Sequence, residues 1–126
     1  MNLIITHSIQ RIEFEFLQKT FSLEVIKVAA KKALQGLGND IKSASKIPST
    51  CLKKLCLTST GGAGRVIFLL QIGAQKSILV MIRMKNDKQI GANMTVQNPK
   101  FKKALDKNLS LILKDLKYGD YKEYFL

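Results

Sequence analysis

Two apolar runs near the middle of the chain restrict the fold more than anything else. Arg65-Val-Ile-Phe-Leu-Leu-Gln-Ile72 and Ser77-Ile-Leu-Val-Met-Ile-Arg-Met84 are separated only by Gly73 to Lys76. Each run is apolar at successive positions, so a strand built from it would be buried on both sides. Two such strands joined by a short turn read as an antiparallel pair in the middle of a sheet covered by helices on at least one side. Cys51 to Thr58 reads as the strand before them. Leu52, Lys54, Cys56 and Thr58 would share one face, and Lys53, Leu55 and Leu57 the other. The glycine-rich turn Thr58-Ser-Thr-Gly-Gly-Ala-Gly64 links it to the first run. Residues 50–84 are therefore expected to form a three-stranded meander.

Helices are expected on either side of it. Leu3 to Thr6 suggests a short first strand. Thr6 or Ser8 is a cap candidate for a helix whose Ile9, Ile12, Phe16 and Leu17 form an apolar stripe, widened by Phe14 and Phe21. Glu13 and Glu15 suit the positive end of its dipole. Ser22 is expected to cap a second helix from Leu23 to about Leu37, with Leu23, Ile26, Ala30, Ala33 and Leu37 on one side and an end at Gly36 and Gly38. Asn39 to Thr50 reads as a connection. Asn98 and Pro99 open a last helix, whose apolar face is Phe101, Leu105, Leu109, Ile112 and Leu116 and which Gly119 stops. Tyr118, Tyr121 and Tyr124 follow. The expected architecture is α+β, as one domain over residues 1–126.

Charge narrows the choice of partners. Twenty-one Lys and Arg stand against nine Asp and Glu, a net of +12, which favours a polyanion, with RNA foremost. Only Arg11, Arg65 and Arg83 are arginines. Cys51, Cys56 and His7 cannot supply the four protein ligands of a structural zinc site. Strand positions five apart face opposite sides, so a disulfide is not expected. Both thiols are expected to be reduced and buried, which fits a cytoplasmic protein. No apolar stretch approaches the roughly 20 residues that span a bilayer, and the start does not read as a signal peptide. A soluble protein without membrane, metal or small-molecule cofactor is expected. No Walker sequence, carboxylate pair or Ser/Cys–His–acid set is evident.

The remaining chemistry is cationic. In antiparallel order, Arg65, Arg83 and Lys85 converge at one edge of the meander, with Lys54 farther along. Such a group binds phosphate and stabilises charge developing on it. The adjacent 2′-hydroxyl of RNA can attack without a metal, given a base such as a clustered lysine, a donor and cations.

The run Leu52-Lys-Lys-Leu-Cys56, then Gly61-Gly-Ala-Gly-Arg65-Val-Ile-Phe68, then Ile78-Leu-Val-Met-Ile-Arg-Met-Lys85-Asn-Asp-Lys88 resembles the RelE/ParE toxin superfamily, and within it the HigB-like branch of type II toxin–antitoxin systems. The resemblance is best over residues 51–88, and the order strand, two helices, meander agrees with it. It implies a RelE-like fold: a small antiparallel sheet, an N-terminal helical hairpin and a C-terminal helix. It also implies a ribosome-dependent mRNA endoribonuclease that inhibits translation, with mRNA, the ribosome and a cognate antitoxin as partners. Carried over by residue, Lys54, Arg65, Lys85 and Tyr121 are the expected catalytic groups. Lys53, Arg83 and Lys88 are expected to bind RNA. Three departures stand out: a longer chain after Lys88, Ile90-Gly-Ala-Asn-Met-Thr95 in place of an acidic stretch, and Cys56 where another basic residue is often found. The alternatives are a non-enzymatic ParE-like gyrase inhibitor and a catalytically inactive RNA-binding relative.

Overall fold

The computed structural model describes residues 1–41 and 47–126. The middle of the expected 39–50 connection lies outside the described residues. In chain order the elements are β1 (Asn2–Thr6), helix α1 over residues 7–17, α2 (Leu23–Leu34), β2 (Asn39–Ile41), β3 (Cys51–Ser59), β4 (Gly62–Gln71), β5 (Lys76–Met84), α3 (Pro99–Lys117) and β6 (Tyr121–Phe125). Among the described residues they form one sheet in the order β2-β3-β4-β5-β1-β6. The fold is α+β, with the expected helical N-terminal region, central meander and C-terminal helix.

Three features depart from the sequence reading. The sheet is mixed, because β1 runs parallel to β5, with Asn2, Leu3 and Ile4 opposite Lys76, Ser77 and Ile78. Two edge strands, β2 and β6, form where the sequence suggests a connection and a tail. α2 stops at Leu34 instead of Leu37, and Leu37 is exposed.

Helix α1 is interrupted by a π-helical turn, Gln10–Phe14, where the N–H of Glu15 donates to the carbonyl of Gln10. The inserted residue rotates the rest of the helix around its axis. Glu13 and Phe14 therefore turn inward, while Phe16, expected on the apolar stripe, is 79% exposed. Neither cap candidate bonds at the start of α1. Instead Asp115 of α3 accepts the N–H of Ser8 at 2.8 Å, so a carboxylate from another helix meets the positive end of this one. Ser22 caps α2 by accepting from the Val25 N–H. Asn98 caps α3 by accepting from the Lys100 N–H at 3.1 Å.

The strand registers and the two-residue period of side chains define two faces of the sheet. On one face, Phe21 and α2 pack down. A Cβ on Gly64 would lie 2.5 Å from the Phe21 ring, and the Ser77 hydroxyl donates to the Ala30 carbonyl at 3.0 Å. Leu55, Leu57, Val66 and Phe68 belong to this face and are buried. On the other face Leu52, Ile67, Leu69, Ile78 and Met81 are just as buried. The segment before α3 and α3 itself, with Met94, Phe101, Leu105 and Ile112 in the same core, are left to cover them.

Candidate nucleic-acid interface

The second face is covered only along part of its length. Toward the β3–β4 hairpin its large apolar residues give way to small or polar ones: Cys56 and Thr58 on β3, Ala63 and Arg65 on β4, Arg83 on β5. Cys56, Thr58 and Ala63 are exposed, and Arg65 and Arg83 are half-buried. The register makes Arg65 the centre of this open end. Cys56 is its partner on one side and Arg83 its partner on the other. Lys85 continues the ladder, its N–H donating to the Ala63 carbonyl at 2.9 Å. Lys54 lies opposite Ile67, one diagonal step from Arg65. Directly opposed residues are about 5 Å apart and diagonal ones about 7–8 Å, so Arg83 lies beside Arg65, and Lys54 and Lys85 each lie one diagonal step from it on opposite sides.

These cations are not equivalent. Arg83 forms ion pairs with Glu13 and, at 3.8 Å, with Asp87. Arg65, Lys54 and Lys85 have no acidic partner within 4.0 Å among the described residues. Lys54 also lines a hollow of about 170 Å³ with Asp40, Ile41, Met94, Thr95, Val96 and Gln97. The wall of this hollow is the 85–98 segment, which crosses the end of β5 at Gly91. A Cβ there would meet the Met84 carbonyl oxygen at 1.9 Å. Asn98 braces the segment from within, donating to the carbonyls of Gln89 and Asn93 at 2.9 Å each.

Not every expected residue joins the group. Lys53 lies on the opposite face and is paired with Asp40 at 2.7 Å, because adjacent strand residues point to opposite sides. Lys88 is exposed, in the turns after β5. Tyr121 pairs with Thr6 on β6, three strand spacings from Arg65, or roughly 14 Å at about 4.8 Å per strand. It is therefore not brought to the cationic end. The thiols also differ from expectation: both are free, but Cys51 is half-buried and Cys56 exposed, since Cys56 sits on the uncovered end of the second face.

Sequence reasoning missed the pairing of Glu13 of α1 with Arg83 and the support of Glu13 by Asn108 of α3. The only signal for Glu13 is a charge set between Ile12 and Phe14, and that charge equally suits the helix dipole. The described residues hold no cluster of three His, Cys, Asp or Glu suited to a metal ion, and none of their helices is long and apolar enough to cross a membrane. Neither a protein-family model nor a curated protein matches the chain.

Proposed function

We propose that this protein is a metal-independent endoribonuclease of the RelE/ParE toxin type, the toxin of a toxin–antitoxin pair that cuts translated mRNA on the ribosome. The observation that carries this reading is Arg65. It is a half-buried guanidinium at the centre of an open, cationic sheet end, without an acidic partner among the described residues, and with Lys54 and Lys85 close by. A planar guanidinium held this way suits two non-bridging phosphate oxygens at once.

The proposed reaction uses the RNA as its own nucleophile. The 2′-hydroxyl loses its proton as its oxygen bonds to the adjacent phosphorus. The bond from phosphorus to the 5′-oxygen breaks, and that oxygen takes up a proton. The products are a 2′,3′-cyclic phosphate and a 5′-hydroxyl. Arg65 and Lys85 neutralise charge on the phosphorane oxygens, where fixed cations act most strongly. Lys54 is assigned to proton transfer at the reacting oxygens. The cognate antitoxin would be an acidic protein segment that covers the same face.

A cell-free translation reaction tests the reading. Wild-type protein is expected to arrest synthesis and shorten the message only while ribosomes translate it. Intact message in arrested reactions would refute the nuclease reading, and loss of gyrase supercoiling activity in a parallel assay would assign the fold to topoisomerase inhibition instead.

A further inference from the structure

Glu13 and Arg83 form an ion pair at the border of the cationic face. Glu13 is 3% exposed. Its Oε1 accepts from the Ile82 N–H at 3.0 Å and from the Arg83 guanidinium. Its Oε2 accepts from Asn108 Nδ2 at 3.3 Å, and the same amide donates to the Val80 carbonyl at 2.9 Å. These backbone groups have a reason to need partners. The register of β4 with β5 slips between Ile67 and Phe68, leaving Val80 without an opposite residue. β1 pairs with β5 only as far as Ile78, so the β5 edge beyond it has no neighbouring strand. Glu13 and Asn108 supply the missing partners.

The cation that meets the buried Glu13 carboxylate is Arg83. An RNA phosphate would have to displace a desolvated partner already fixed by two other bonds. The pairing also serves Arg65. Like charges directly opposed across strands repel, and Arg65 and Arg83 are directly opposed. We infer that Glu13 is a positioning residue that withdraws Arg83 from the RNA-contacting set and leaves Arg65, Lys54 and Lys85 as the cations that meet phosphate. This rests on the nucleic-acid reading above.

The test is the salt dependence of binding by the full chain to a short 2′-O-methyl oligouridylate, which cannot be cleaved through its 2′-oxygen. Each phosphate-neutralising cation contributes about 0.7 to the slope of log affinity against log salt on a single strand. Arg65→Ala is expected to lower the slope by about that amount. Replacing both members of the pair, Glu13→Gln with Arg83→Gln, removes both charges at similar side-chain size and is expected to leave the slope unchanged. Glu13→Gln alone frees Arg83 and is expected to raise it. A slope that falls in the double variant as far as in Arg65→Ala overturns the inference while leaving RNA binding intact. Absence of any salt-dependent binding by wild type overturns the nucleic-acid reading and the inference with it. The double variant decides the matter if Glu13→Gln alone does not fold.

Discussion

At the scale of single residues, two arginines opposite each other differ in what their loss would do. Arg65 has no acidic partner among the described residues, so Arg65→Ala is expected to shift folding stability by no more than about 0.5 kcal/mol. Arg83→Ala would strand Glu13 as a buried, uncompensated charge, and a loss of about 3–5 kcal/mol is expected. Urea unfolding of both variants checks this. Equal stabilities would mean that Glu13 does not depend on Arg83. Gly64 carries a third expectation, because its missing Cβ is where the buried Phe21 ring sits. Gly64→Ala should destabilise by about 1–3 kcal/mol through overpacking, and a variant as stable as wild type would show that Phe21 has room to move. The convergence of Arg65, Arg83 and Lys85 was legible in the sequence, because antiparallel order and the two-residue period determine it. The neutralisation of Arg83 was not. Its partner lies 70 residues away in sequence, and Glu13 points inward from within the π-helical turn, which apolar spacing does not reveal.

Among the elements, the meander and the three helices could be read directly, because each has a long apolar pattern. The edge strands could not. β2 is three residues long, too short for periodicity to register. β6, Tyr-Lys-Glu-Tyr-Phe, is largely exposed and has no apolar alternation. β6 is held to β1 by its backbone ladder and by Glu123, which accepts from the Asn2 side-chain amide and pairs with Lys76 at 3.5 Å. The Asn2 hydrogen bond holds the Glu123 carboxyl below the usual 4.5, opposed by desolvation and assisted to a lesser degree by Lys76. A carboxyl lowered in the folded state stabilises fully above its unfolded value, and that contribution fades as pH falls through the lowered one. Amide exchange along β6 should therefore quicken relative to β3 as pH is lowered below 4.5, beyond the intrinsic pH trend. Glu123→Gln should abolish this acid-dependent increment. An identical profile in the variant would remove Glu123 as the fastener. The placement of Tyr121 on this strand is also why that tyrosine does not reach the cationic face.

For the whole molecule, the sheet divides its own labour. One face is buried under Phe21 and α2. The other is covered over most of its length and open where Arg65, Lys54 and Lys85 gather. The net charge of +12 gives attraction to a polyanion at long range, but the local arrangement decides where that polyanion would rest. Residues 94–97, in the segment after Lys88, form the wall beside Lys54. The most direct test of RNA cleavage by this face is to map the chemistry of message ends after translation with wild-type protein and with Arg65→Ala. Wild type should leave upstream fragments ending in a 2′,3′-cyclic phosphate, and Arg65→Ala should reduce them by about 100-fold or more while remaining folded. Fragments ending in a free 3′-hydroxyl, or equal cleavage by a folded Arg65→Ala, would contradict it.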